Sequence, residues 1–394
     1  MDLFEKCFSF TRSEEAQSMG LYPYFNPIKE VRGNKVITAD GRELIMVGSN
    51  NYLGLIDHPR VLAAMKEAIE RYGSSTCGSR FLNGTLTIHE ELEAELARFM
   101  ERDAALVFST GYQTNLGIIS ALVGRKDYVV LDNMDHASIY DAARLSFGKV
   151  VKFRHNDPED LERVLKKIPP DAGKLVVVDG VFSMEGDLAD LPNLVPIAKK
   201  YGARFMVDDA HGMGVFGEGG RGVVEHFGML HEVDIVMATF SKSFASLGGF
   251  VAGDRKVINY IKHFARSLIF SASVTPASVA AARAALEIIR NEPERRHRLW
   301  EISRKMKKAF EDMGYDTGTT QSPIIPLLVG TEEQLLTLWK ILREEGVFAN
   351  PVLPPAVPPD RTLIRTSYTA THTDEELQQV LNAFEKAGKA VGVI

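Results

Sequence analysis

Lys242 lies in Thr239-Phe-Ser-Lys-Ser-Phe-Ala-Ser-Leu-Gly-Gly249, with no charged residue within five positions on either side. Most lysines are solvated surface charges. One set among Ser, Ala, Phe and Gly loses hydration, which favours the neutral amine and suits it to Schiff-base formation with a carbonyl. A second chemical cluster is Val207-Asp-Asp-Ala-His211, where two carboxylates close an apolar run and a histidine follows. One of those acids can pair with a protonated ring nitrogen. Helix capping and metal ligation are the other uses of such a cluster. A metal site needs more convergent ligands than the sequence offers, so no metal is expected.

Three further segments have donors at comparable places. Ser109-Thr-Gly111-Tyr112 precedes a helical pattern, and glycine at a helix start leaves backbone N–H groups able to hold a phosphate. His136, in Asp132-Asn-Met-Asp-His136, can lie flat on an aromatic ring. Ser183, in Asp179-Gly-Val-Phe-Ser183, can donate to a ligand oxygen. Taken singly, Ser183 reads equally well as a turn serine, and the glycine turn and His136 read more readily as a plain turn and a surface or core histidine. Taken together they supply a Schiff-base lysine, an acid for a pyridine nitrogen, a stacking ring and a phosphate cup. Those are the requirements of pyridoxal phosphate.

The elements that must position these groups follow from the apolar pattern. Strands are predicted at Ala104–Phe108, Tyr128–Leu131, Val150–Phe153, Leu175–Val178, Arg204–Val207, Ile235–Ala238 and Gly249–Ala252. Helical stretches such as Asp157–Ile168 and Leu194–Tyr201 alternate with them. Val- and Ile-rich strands alternating with helices predict an α/β fold with a mainly parallel sheet covered on both faces. Ligands then bind beyond the carboxyl ends of the strands, where all five segments fall. Upstream, a helix is predicted over His58–Tyr72, and Thr87-Ile-His-Glu90 has capping-box spacing before another. The chain is read as an N-terminal arm (1–50), a large α/β domain (51–285) and a smaller α+β domain (286–394). In the arm, Lys35–Thr38 and Glu43–Val47 form strands around Asp40-Gly41. In the last part, helices near 280–291, 293–314, 332–345 and 374–390 accompany strands at Ile324–Val329, 347–353 and 362–368. Pro351–Pro359 is read as a surface loop.

Composition sets outer bounds. A net charge of -6 argues against a nucleic-acid partner. Two cysteines, Cys7 and Cys77, give no disulfide framework and suit a reducing cytoplasm. The N-terminus shows no signal peptide, and no apolar run is long enough for a membrane span.

The motifs Ser49-Asn-Asn-Tyr-Leu-Gly-Leu55, Gly78-Ser-Arg-Phe-Leu-Asn-Gly84, Asp135-His-Ala-Ser-Ile139, Asp179-Gly-Val-Phe-Ser-Met184, Val207-Asp-Asp-Ala-His211 and Thr239-Phe-Ser-Lys242 resemble those of the α-oxoamine synthases. These are fold-type I (aspartate aminotransferase-like) pyridoxal-phosphate enzymes that condense an amino acid with an acyl-CoA and release CO2. The resemblance runs from about Gly20 to Lys386. Thr-Phe-Ser-Lys-Ser around Lys242, Gly20-Leu-Tyr-Pro-Tyr-Phe-Asn-Pro27 and Ser271-Ala-Ser-Val-Thr-Pro276 are similar to the serine palmitoyltransferase branch. Sister branches have Leu-Gly-Lys-Ala or Phe-Gly-Lys at the lysine.

The resemblance implies roles. Lys242 would bind pyridoxal 5'-phosphate and shuttle a proton. His136 would stack on the ring and orient substrate, Asp208 rather than Asp209 would pair with the ring nitrogen, and His211 would meet the phenolic oxygen. Gly111, Tyr112, Thr239 and Ser271 of a second subunit would hold the phosphate, with Ser183 close by. Arg365 would grip the substrate carboxylate, and Asn51 would lie near the substrate entrance. The implied reaction joins L-serine to a long-chain acyl-CoA, palmitoyl-CoA, in a cytoplasmic homodimer, giving 3-ketodihydrosphingosine, CoA and CO2. The rivals are a glycine C-acetyltransferase and a catalytically silent binding subunit. The acyl tunnel is unassigned; Tyr22–Phe25 is a candidate for it.

Overall fold

Seven short runs pair edge to edge into one sheet: the inner ones, such as Lys174–Asp179 and Ile235–Thr239, are buried on both faces and satisfy their backbone through their neighbours, while Lys149–Phe153 at one edge is largely exposed. The computed structural model describes residues 2–354, 356–358 and 361–394. By its packing the chain divides into two units, Asn50–Glu301 and a second made of Met1–Ser49 with Ile302–Ile394. The division falls inside the helix Pro293–Met313 rather than at residue 286.

In the larger unit all seven expected strands form, in the spatial order Ala104–Phe108, Gly249–Gly253, Ile235–Thr239, Arg204–Asp208, Lys174–Asp179, Tyr128–Asp132, Lys149–Phe153. Neighbours are parallel except around Gly249–Gly253, which runs antiparallel to both of its neighbours. The chain moves from Tyr128–Asp132 outward to Lys149–Phe153, then returns to Lys174–Asp179 on the other side. At such a reversal the loops leaving adjacent strands diverge and open a crevice at their carboxyl ends. Behind it, Leu131, Val177, Met206, Met237 and Val251 pack against Ile118, Ile119 and Ile139 of the helices Gly111–Leu122 and Ala137–Leu145. Each such side chain contributes about 1.5–3 kcal/mol on burial.

Helix starts are mostly capped by side chains. Asp157, Asp254 and Thr275 accept N–H groups of the first turn. Thr87 is a correction: it is the first helical residue, not the cap. His89 Nδ1 accepts the Leu86 N–H at 3.0 Å instead, so Glu90 is not needed there.

The second unit contains two small sheets. Lys35–Thr38 and Glu43–Met46 pair antiparallel as expected, and Ile28–Arg32 adds a strand the pattern did not reveal. Val347–Phe348 pairs parallel with Glu43–Met46, which binds the N-terminal segment to the C-terminal part of the chain. Ile324–Gly330, Thr362–Ser367 and Asn350–Val352 form the other sheet. The helices Glu332–Glu344 and Asp374–Val391 start with capping boxes at Thr331 and Thr373 and bury Leu338, Leu342, Val380 and Phe384 in one core. The expected loop Pro351–Pro359 begins within a strand, and Pro355 and Pro359 lie outside the described residues. Two short helices, Glu5–Phe8 and Arg12–Ser18, bury no residue.

Candidate active site

Five strand ends of the large sheet converge on a cavity of about 280 Å³. Its walls include Gly111, Tyr112, His136, Ser183, Asp208, His211, Thr239 and Lys242. They arrive on five segments, each following a different strand, so residues remote in sequence lie close in space.

Lys242 is half-buried, on the loop between Ile235–Thr239 and the reversed strand. That loop is tightly held. Phe240 and Phe244 are fully buried, with ring centroids 5.2 Å apart, and both pack on Phe250. The Phe240 N–H donates to Gly248 O at 2.9 Å, and the Ser246 N–H to Phe240 O at 2.9 Å.

Asp208 and Asp209 part company at the end of their strand. Asp208 lines the cavity, accepts Asn115 Nδ2 at 2.7 Å on Oδ2 and accepts the Ala210 N–H at 3.1 Å on Oδ1. Asp209 is turned into the protein, where it accepts the Val223 N–H at 2.7 Å. A Cβ added at Gly222 would stand 2.0 Å from Asp209 Oδ2, so glycine there makes room for the carboxylate. Burial pushes Asp209 up to about 7.

His136 caps the helix Ala137–Leu145 and is solvent-exposed at the cavity wall. Its Nδ1 receives the Ser138 N–H at 3.2 Å and faces Ser138 Oγ at 2.8 Å. An amide N–H can only donate, so Nδ1 is an acceptor and the neutral ring has its proton on Nε2. Burial lowers its pKa, Asp208 opposes this and Lys242 reinforces it, while exposure of the ring limits the effect. His211 is buried and its Nδ1 lies 2.7 Å from the Tyr52 hydroxyl. Asp179 also lines the cavity and accepts the His136 N–H at 2.9 Å. Burial, then the charge of Asp208, hold the Asp179 carboxyl well above the usual carboxylate range.

Gly111 and Tyr112 open the helix Gly111–Leu122, capped by Thr110, so first-turn N–H groups face outward beside Thr239. A Cβ on Gly111 would fall 2.8 Å from Thr239 Oγ1.

The aminotransferase class I and II family matches this chain over residues 42–384. Serine palmitoyltransferase of Sphingobacterium spiritivorum is 50% identical over 389 residues, covering 98% of this chain and 97% of that one. The chain belongs to the α-oxoamine synthases of the aminotransferase class I and II family. The serine palmitoyltransferase of Bacteroides thetaiotaomicron is also 50% identical, over 392 residues, covering 100% of this chain and 99% of that one. Among solved structures, a serine palmitoyltransferase variant from S. paucimobilis with a bound PLP–myriocin aldimine superposes with a TM-score of 0.97 at 40% identity, each chain fully covered. The fold of this α-oxoamine synthase is therefore fold-type I.

Three expected residues are not among the side chains lining this cavity, one of which, Ser271, is expected to act in a second subunit. Ser271 does not line the cavity of its own chain; its Oγ accepts a hydrogen bond from Gln113 Nε2 at 3.0 Å. Asn51 turns its Oδ1 to the Leu55 N–H at 2.9 Å. Arg365 belongs to the other unit, buried on Thr362–Ser367, where it pairs in register with Pro326 and Asn350. Conversely, Asn115, Ser138, Asp179 and Tyr52 hydrogen-bond the candidate site residues Asp208, His136 and His211 and have no role assigned from the sequence. Asn115 had a signal: it is a polar residue three and four positions before Ile118 and Ile119 on the apolar face of its helix. Among the described residues, no cluster of three or more His, Cys, Asp or Glu side chains can hold a metal, and no helix is long and apolar enough to cross a membrane.

Proposed function

We propose that this chain is a serine C-palmitoyltransferase: with pyridoxal 5'-phosphate it condenses L-serine with a long-chain acyl-CoA, palmitoyl-CoA, to give 3-ketodihydrosphingosine, CoA and CO2. The observation that carries the reading is one cavity holding the Lys242 amine and the buried Asp208 carboxylate, in a chain half identical to two serine palmitoyltransferases.

The residues present fit the cofactor. The space a Gly111 Cβ would fill, beside Thr239 Oγ1 and the first-turn N–H groups, is a phosphate cradle. Lys242, Asp208, His136 and His211 stand around the remainder of the cavity. When bound, pyridoxal phosphate supplies an electron sink that stabilises negative charge on the substrate α-carbon.

The chain's own groups do the rest. Asp208, fixed by Asn115, holds a proton at the ring nitrogen. Lys242 would hold the cofactor through its aldehyde carbon and, as a free amine, would take the proton from the serine α-carbon. His136 covers the ring face and directs the serine. His211, held by Tyr52, donates to the phenolic oxygen. Gly111, Tyr112 and Thr239 bind the phosphate, joined by Ser271 of a partner subunit in a homodimer. Ser183 donates to the cofactor edge. Arg365 binds the serine carboxylate through two parallel charge-assisted bonds until CO2 leaves, and Asn51 lies on the approach. The two cysteines are exposed and unbridged, which supports a cytoplasmic setting.

Two measurements test this. Borohydride reduction followed by peptide mapping is expected to find the cofactor fixed on Lys242. A matrix of serine, glycine and alanine against short and long acyl-CoAs is expected to favour serine with palmitoyl-CoA. Preference for glycine with acetyl-CoA would replace the substrate assignment, and an adduct on another residue would overturn the whole reading.

A further inference from the structure

Behind the cavity lies a charged side chain that the reaction does not use. His155 follows the strand Lys149–Phe153, which forms the edge of the sheet. Its Nδ1 is 3.0 Å from Asp132 Oδ1 and its Nε2 is 2.8 Å from Asp187 Oδ2. Both partners are carboxylates, and an ionised carboxylate only accepts. A ring that bonds both must donate from both nitrogens, so it is an imidazolium shared by two acids.

Each acid is tied to a different wall of the cavity. Asp132 Oδ1 also accepts the Met134 N–H at 2.9 Å, fixing the turn that leads to His136. Asp187 closes the loop that contains Ser183: the Phe182 N–H donates to Asp187 O at 3.0 Å, and Val181 bridges to Leu188. The Phe182 ring, adjacent in sequence to Ser183, meets the His155 ring edge-on at 4.3 Å between centroids. Asn156 reinforces the junction. It adopts a φ of 50°, a left-handed conformation that Asn tolerates better than most residues. Its N–H donates to Asp132 Oδ2 at 2.8 Å, and its Nδ2 to Leu188 O at 2.7 Å.

We propose that His155 is a positioning residue for this site: by bridging Asp132 and Asp187 it locks the turn bearing His136 to the loop bearing Ser183. It touches neither substrate nor cofactor. Its effect on chemistry is through the placement of the ring that stacks and the hydroxyl that donates. Only the catalytic part of the test below rests on the function proposed above.

The experiment compares the holoenzyme with His155→Gln and His155→Lys by hydrogen–deuterium exchange, visible circular dichroism of the bound cofactor and steady-state kinetics. Glutamine cannot serve two carboxylates as a cation. Lysine keeps the charge and several donors. His155→Gln is expected to speed exchange in peptides covering 132–136 and 180–188, to alter the cofactor dichroism, and to lower kcat about 10- to 100-fold, the scale of a small misplacement. His155→Lys is expected to recover most of all three. Unchanged exchange in both segments overturns the proposal. So does exchange that rises across the whole unit with unaltered cofactor dichroism and no rescue by lysine, which marks a merely structural role. Should His155→Gln not fold, Asp187→Asn loosens one arm alone: faster exchange is expected in 180–188 and not in 132–136, and the reverse pattern overturns the proposal. If no form of the enzyme turns over serine, the exchange and dichroism arms still decide the clamp, and only the reaction assignment has failed.

Discussion

Asn115 Nδ2 donates to Asp208 Oδ2 at 2.7 Å and to Ser138 Oγ at 2.8 Å, so one buried amide fixes both the acid and the support of His136. Asn115 is fully buried on the helix that also presents Gly111. A hydrogen bond to a charged group contributes about 1.5–3 kcal/mol. Asn115→Leu is therefore expected to weaken cofactor binding or turnover by about ten- to a hundredfold, while Asn115→Gln, with a displaced amide, does little better. Cofactor titration of the apoprotein by absorbance reads this directly.

Asp208→Asn and Asp209→Asn are expected to separate chemistry from stability. The first removes the charge that lines the cavity, so turnover should fall by orders of magnitude with the melting temperature nearly unchanged. The second acts on a side chain that holds the Val223 N–H and does not line the site cavity, so melting should fall and the residual folded enzyme should still work. Equal loss of turnover at matched folded fraction would contradict the division.

The Asp209 carboxyl is raised by burial from its ordinary 3.8 to about 7. A pKa raised on folding adds stability that is complete below the unfolded value and is lost as pH climbs through the folded one. The cost of Asp209→Asn, measured by chemical denaturation, is thus expected to shrink between about pH 4 and about pH 7.

His155 has the same sign with a different window. Burial lowers its pKa, but hydrogen bonds to Asp132 and Asp187 and their charges outweigh it and raise the value from 6.5 to about 10. Its stabilisation is complete below 6.5 and declines toward pH 10. Wild type should therefore lose stability across that interval relative to His155→Gln, whose curve should be flatter.

Gly111→Ala places a methyl 2.8 Å from Thr239 Oγ1. Thr239 cannot easily retreat, because its hydroxyl is held by Gly248 O at 3.0 Å. Overpacking of this kind costs about 1–3 kcal/mol. The dissociation constant for pyridoxal phosphate is expected to rise about ten- to a hundredfold.

The sheet was legible because its inner strands are short apolar runs buried on both faces, as in Leu175–Val178 and Ile235–Ala238, and the exposed edge strand Lys149–Phe153 still has two adjacent valines and a phenylalanine. Ile28–Arg32 was not, because all five of its residues are exposed and no alternation marks it. The cavity's residues were legible one at a time as polar groups just past strand ends. Their supports were not, since Tyr52, Asn115 and Ser138 act through pairings that only the fold creates. His155 also sits just past a strand, but nothing local marks it, because its partners Asp132 and Asp187 are remote in sequence. The choice of Asp208 over Asp209 rested on resemblance; the glycines at 212 and 222, which make room for the second carboxylate, are its physical counterpart.

The reversed strand Gly249–Gly253 has a mechanical meaning for Lys242. Because the chain doubles back at once, both ends of the lysine's loop are sewn to the same sheet, Thr239 against Gly249. The backbone there is an anchored post, and all travel of the amine must come from its own four-carbon tether. Reach, not loop motion, then sets what the amine can touch: moving the lysine one place along the chain, to Ser241 or Ser243 with Lys242→Ala, should leave a folded protein whose amine has nothing to grasp.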